Sequence, residues 1–352
     1  MIQGFVLAHR GTEDVAAGEL RSCGAADVAV CDCGVLFSCR DLPSLCIVAY
    51  QLRSALKVLW VLSQSDTIDV SNVDFTWAAG KSFAVRSDQD SVDEGDIGAV
   101  IVDMTGLKVS LSNPAVTFFV TQCGTKMLFG VDVTGIDLGR REYRVFLGPT
   151  SIKGTLAFSL LQCGGWKPGM SLLDPFCQSG AVVIEAALAA RRMPVAFHLK
   201  QQLAFTKIVE QDVCSAIDKD VLPEEKLEVF AFDPHFKHIS ATQKNAKIAQ
   251  VNKCLEYSRQ DIDWLDVKLE KDSIDCIVTC LPAEKDLKKG DIQALFLRAK
   301  PVLKKTGTIT ILTQKRQQEI RDTAKEYVLK EQRTVWQGQS AFSVMVFTWK
   351  EK

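Results

Sequence analysis

Three aspartates stand where short apolar runs end. Leu172-Leu173 stops at Asp174 and Pro175, the run Leu227–Phe232 ends at Asp233, and Tyr257–Gln260 leads to Asp261. In a parallel sheet such residues share the carboxyl edge, where α/β proteins bind ligands. After Asp174, Ser179-Gly180 offers small residues where a backbone can approach a ligand, and a helix begins. A pyrophosphate site wants several glycines and no acid nearby. A carboxylate at the strand tip suits a cofactor that carries positive charge, such as S-adenosylmethionine. A fourth position, Cys280-Leu281-Pro282-Ala283-Glu284, follows the strand Ser273–Thr279 and would lie on the same edge.

The elements around these residues alternate as such a sheet needs. Val182 to Leu188 is apolar around most of its girth, which predicts a helix packed on a sheet. Leu227–Asp233 predicts a second parallel strand and Lys237–Val251 its helix. Further on come a helix at Asp291–Leu303, a strand at Thr308–Leu312, a helix at Gln317–Leu329, and a closing hairpin of Thr334–Gln337 with Phe342–Thr348 around Gly338. Between Met193 and Lys226 the alternation breaks, and a polar helix is expected through Gln211–Lys219. Upstream, residues 1–57 read as a βαββα unit, and residues 58–147 as an alternating strand at Ser82–Arg86, a helix at Asp93–Thr105 and a hairpin of Ala115–Cys123 with Lys126–Val133. Gly148-Pro149-Thr150 marks a boundary before residues 148–352.

Asp174-Pro175-Phe176-Cys177-Gln178-Ser179-Gly180, followed by Ile184-Glu185-Ala186-Ala187-Leu188, resembles the cofactor motif of the THUMP-domain RNA methyltransferases, especially the tRNA guanine-N2-methyltransferases. Their pattern has Gly where this chain has Gln178 and Thr where it has Ala181. Upstream, Phe83-Ala84-Val85-Arg86, then Val109, Leu111 and Asn113-Pro114, and finally Gly135, Leu138, Arg141 and Tyr143-Arg144 are similar to the THUMP module, which in that family grips tRNA. The resemblance implies an α/β protein with a ferredoxin-like unit over 1–57, a THUMP unit over 58–147 and a Rossmann-like methyltransferase domain over 148–352. It implies cofactor contacts from Thr150, Asp174, Phe176, Cys177, Ser179, Gly180, Asp233 (ribose), Asp261 (adenine) and Ile262. Phosphate contacts to tRNA fall to Arg86, Arg140, Arg141 and Arg144. The reaction falls to Cys280 and Pro282, where relatives carry Asn or Asp, Pro, Pro, then Tyr or Phe.

That last motif has a physical reason. The lone pair of an exocyclic base amine is delocalised into the ring, so a site must accept its hydrogens with oxygen atoms and hold the base flat against an aromatic face. Cys280 offers only a weak acceptor and Ala283 cannot stack. Two functions therefore stand: a guanine-N2 tRNA methyltransferase, or a relative that binds tRNA without transferring methyl groups, alone or with a partner chain. A nucleophilic Cys280 is a third chemistry, with Lys285, Lys288 and Lys289 as its only nearby activating groups.

Composition narrows the rest. The 352 residues, 47% apolar and 24% charged, carry a net charge of −1, so RNA contact must come from local patches. Residues 1–150 hold 12 Lys+Arg against 18 Asp+Glu, and the remainder 30 against 25. Twelve cysteines without a Cys-x-x-Cys pair, and four histidines, predict no metal site and reduced, buried thiols. No membrane-spanning run is present, and the cytoplasm is the expected location.

Overall fold

The computed structural model describes residues 1–350. The chain divides into two compact units, Met1–Leu138 with Pro194–Lys219, and Gly139–Met193 with Asp220 onward. Among the described residues no helix is long and apolar enough to cross a membrane.

The first unit is built on one sheet of strands β1 (Ile2–Leu7), β2 (Ala26–Cys31), β3 (Gly34–Cys39), β4 (Lys57–Ser65), β5 (Ser82–Ser87), β6 (Lys108–Val109), β7 (Val116–Cys123) and β8 (Lys126–Asp132). Their order is β2-β3-β1-β4-β8-β7-β5-β6. β4 pairs with β1 on one side and with β8 on the other, so the segments expected as 1–57 and 58–147 share a continuous sheet. The helix Leu42–Gln51 starts at Asp41, whose side chain accepts from the Ser44 N–H, and Glu94–Thr105 starts at Asp93 and ends at the left-handed Gly106. Such caps satisfy backbone groups that helix ends leave orphaned.

Two sequence expectations change here. The segment Pro194–Lys219 belongs to this unit's core, where Ala196, Leu203, Phe205 and Val213 pack with Leu45, Tyr50 and Val133. Its expected helix shrinks to one turn, Ser215–Asp218, because side-chain burial and the Tyr50 hydroxyl bond to Asp218 (2.8 Å) fix an irregular path. Reduced thiols were expected throughout, yet Cys31 and Cys123 are joined, with Cα atoms 5.6 Å apart across 92 residues of sequence. The pairing depends on which hairpin ends the sheet brings together, which cysteine spacing does not report.

The second unit holds β9 (Leu172–Asp174), β10 (Val229–Asp233), β11 (Glu256–Arg259), β12 (Ile274–Cys280), β13 (Leu303–Thr313), β14 (Tyr327–Gln337) and β15 (Ser340–Trp349). Their order is β11-β10-β9-β12-β13-β15-β14, the first five parallel and the last two antiparallel. Strand order reverses between β9 and β12, which makes the carboxyl end of β9 the switch point where such sheets bind ligands. The helix Ala181–Ala190 is buried from Ala181 to Leu188, as its apolar girth requires. One element departs from expectation. The helix predicted over Gln317–Leu329 stops at Thr323, and Tyr327 already begins the eleven-residue β14. Residues 327–335 alternate between inward and outward positions, a period-two pattern that pairing with β15 enforces over the helix propensity of Leu, Lys, Glu and Gln.

Candidate active site

Asp174 closes β9 and is almost fully buried. It accepts from the Thr279 hydroxyl (2.7 Å) and the Phe176 N–H (3.2 Å). Burial pushes its carboxyl up to about 7, with the neighbouring Asp233 adding to the shift. The turn after it is tight. Gly180 sits at φ +84°, and a Cβ there would come within 2.6 Å of Thr242 Cγ2, so a left-handed residue without a side chain is required. Asn245 clamps the same turn by donating to the Ser179 carbonyl (2.8 Å) and the Phe146 carbonyl (3.0 Å) while accepting from the Phe146 N–H (2.9 Å). Ser179 and Ser151 hydroxyls meet at 2.9 Å.

Gln178 holds a left-handed φ of +50°, a conformation that suits glycine better than a residue with a side chain. Its side chain reaches away from the turn: Oε1 accepts from the Thr150 hydroxyl and Nε2 donates to the Cys280 carbonyl (2.8 Å). The hollow between Thr150, Asp174, Phe176, Ser179 and Cys280, with Gln178 in its wall, measures about 10 Å³. On the other side of Thr150 and Cys280 lies a cavity of about 250 Å³, walled by Leu281, Pro282, Ala283 and Leu287 and by residues that follow β13 and open β15.

Asp233 is as buried as Asp174, and its carboxylate is committed to the Gln178 N–H (3.1 Å), the His235 N–H (2.9 Å) and His238 Nδ1 (2.8 Å). Three of its roughly four acceptor directions are used, so its present work is to tie the first turn to the start of the helix Phe236–Ile248. Asp261 lies at the rim, held below the ordinary carboxylate range by its hydrogen bond with the Lys288 ammonium (2.5 Å). Ile262 beside it is part of the apolar core. Phe176 and Cys177 are buried too.

The donor set suits a cationic nucleoside. Two buried acids and a third at the rim line the strand ends, the arginine there, Arg259 at the end of β11, donates to the Pro234 carbonyl (3.3 Å), and Ser179-Gly180 makes a small-residue turn beside Asp174. These are the features that favour S-adenosylmethionine over a pyrophosphate-bearing cofactor. Asp174, Ser179 and Gly180 would hold the amino-acid end, beside Gln178, and Asp261 the base.

Cys280 ends β12, with its thiol 3.9 Å from the Thr150 carbonyl and 3.8 Å from the Leu281 carbonyl. Burial, reinforced by Asp174, pushes it up to about 12. Burial thus favours the protonated thiol, the less nucleophilic form.

The arginines expected on RNA part company. Arg141 is a buried partner of Glu185: Nε meets Oε1 at 2.8 Å and Nη2 meets Oε2 at 3.2 Å, with side-chain exposures of 1% and 0%. The Tyr143 hydroxyl donates to the same carboxylate at 2.8 Å. Arg141 is therefore corrected from a phosphate contact to an internal strut, and Gly154 leaves room for it, since a Cβ there would lie 2.4 Å from Glu185 Oε1. Arg86 pairs with Glu94 (3.3 Å) and donates to the Leu111 carbonyl (2.9 Å). Arg140 is exposed and Arg144 half-buried.

Sequence reading missed the far wall of the larger cavity, formed by Thr313, Gln314, Lys315, Arg316 and Phe342. The signal was present. Thr313 pairs with Ser343 across antiparallel strands, so the first residues of β15 must share the carboxyl edge with the last of β13.

Comparison with known proteins agrees with this architecture. A relative in Archaeoglobus fulgidus named tRNA (guanine(6)-N2)-methyltransferase is 28% identical over 89% of this chain and 83% of its own length. One of the same name in Methanocaldococcus jannaschii is 26% identical over 77% and 78%. A putative methyltransferase solved with SAH superposes with a TM-score of 0.80 at 20% identity, over 100% of this chain and 99% of its own. TrmN from Thermus thermophilus does so at 0.74 and 20%, over 99% and 100%. These two share the fold. The UPF0020 family model, described as an RMKL-like methyltransferase domain, matches residues 141–341, which takes in the site from Thr150 to Arg316, and the chain belongs to that methyltransferase-domain family.

Proposed function

We propose that this chain transfers a methyl group from S-adenosylmethionine to the exocyclic amine of a guanine in tRNA, directly and without a covalent protein intermediate. One observation carries the reading: the buried-acid turn after β9 and the Cys280–Glu284 segment after β12 meet across a single wall, with a ligand-sized cavity on the far side. The bound donor would supply a methyl group on positively charged sulfur. The chain's own residues position and shield: Asp174 offers negative charge, Thr150 and Cys280 form the partition, and Pro282 with Leu281 shapes the acceptor side. The protonated thiol of Cys280 speaks against a covalent route. The names of the two archaeal relatives support guanine in tRNA as the acceptor.

Within this reading, residues 58–147 form the THUMP module, and Arg140 and Arg144 are its best phosphate contacts. The altered motif supports a second reading, binding without transfer. One directed hydrogen bond lost from such a site costs about 3 kcal/mol of transition-state stabilisation, and the Cys280 side chain brings no oxygen. Labelled methyl transfer to unmodified tRNA transcripts separates the two, with Asp174→Ala as the blank and product nucleosides identified by mass. A methylated guanosine supports the enzyme. A folded, tRNA-binding preparation that yields no product supports the binding protein. Cys280→Ser retains the wild-type rate within a few-fold if the transfer is direct.

A further inference from the structure

Phe342 is the one aromatic ring, among the described residues, in the wall of the cavity beyond Cys280. It stands in β15 one residue before Ser343, which pairs with Thr313 at the end of β13, and it is half-exposed. Ala283, where a base-stacking ring is expected from chemistry, lines the same cavity and offers a methyl group only. Lys315 and Arg316 border the space on the same side as Phe342 in sequence pairing. Arg316 adopts a left-handed φ of +67°; its Nη1 donates to Glu319 (3.0 Å), while its Nε is buried without a hydrogen bond and Glu284 lies 3.8 Å from both Arg316 and Lys315. Non-glycine residues in that backbone region persist where surrounding structure has a use for them.

We infer that the aromatic face missing from the β12 motif is supplied by Phe342, so that the cavity takes an extruded purine nucleotide with its base against that ring and its phosphate toward Lys315 and Arg316. Stacking needs a flat apolar face within reach of the amine-holding wall, and strand order provides one from a different element. The inference rests on the transferase reading for what enters the cavity, and deepens it by assigning the residue that holds the acceptor.

The test uses the full-length chain. Phe342→Ala should lower kcat/KM for tRNA by roughly 10- to 100-fold, the range base stacking supplies, while Phe342→Tyr stays near wild type and cofactor affinity by calorimetry is unchanged in both. Lys315→Ala should weaken RNA binding and reduce its salt slope by about one. Wild-type transfer by Phe342→Ala overturns the inference. A wild-type chain that methylates no RNA sinks the transferase reading instead. In that case the fluorescence of Phe342→Trp, referenced to wild type, decides the stacking question: quenching when RNA binds supports it, and emission indifferent to bound RNA overturns it.

Discussion

Asp174 exchanges its proton near neutrality. Its folded carboxyl is raised to about 7 by burial, against about 3.9 in an unfolded chain. The stability it contributes is thus complete below about pH 4 and is lost as pH rises through about 7. Binding a cation beside it favours the ionised form and reverses the preference. Cofactor affinity should therefore climb about tenfold per pH unit below 7 and level off above it, with proton release on binding. Calorimetry between pH 6 and 8.5 checks this, and Asp174→Asn should be flat over the same range. Gln178 makes the second prediction. Its left-handed backbone costs about 1 kcal/mol or more, and its two side-chain hydrogen bonds return about as much. Gln178→Gly should leave the melting temperature nearly unchanged and tighten cofactor binding several-fold by enlarging the hollow beside Asp174. Weaker binding in that variant would mean that the amide helps to hold the cofactor.

At the scale of elements, the Arg141–Glu185–Tyr143 cluster joins the segment before the helix Gly154–Cys163 to the helix Ala181–Ala190. A buried pair that loses one member leaves an uncompensated charge, so Arg141→Ala should cost about 3–5 kcal/mol of stability. Replacing Arg141 and Glu185 together with apolar residues should cost less, as denaturant titration can show. The salt slope of RNA binding should not change in either variant. Much of this unit was legible beforehand. The acids at the ends of β9, β10 and β11 were readable because strand ends are marked by a change from apolar to polar residues. The ion pair was not, because Arg141 and Glu185 lie 44 residues apart and no local pattern links them. A lone glutamate in an otherwise apolar helix was its trace. Phe342 was read as the first residue of the hairpin's second arm, but its place in the cavity wall was missed for the related reason that the wall joins it to residues 313–316, which no local pattern links to it.

At the scale of the whole molecule, the chain leaves the first unit after Leu138, returns for Pro194–Lys219 and leaves again. Residues 1–138 expressed alone would lack Leu203, Phe205 and Val213 from their core, and should form an aggregation-prone, poorly protected species by hydrogen exchange. Adding residues 194–219 in trans or through a linker should restore protection; a well-folded 1–138 fragment would contradict this. The same threading fixes an order of events during synthesis. Domains ordinarily close as they emerge, the first before the second. Here the amino-terminal unit cannot finish until Lys219 has left the ribosome. By then the apolar helix Ala181–Ala190 is already out and waiting for strands β10 to β15, so a nascent chain paused between these points displays two incomplete cores at once.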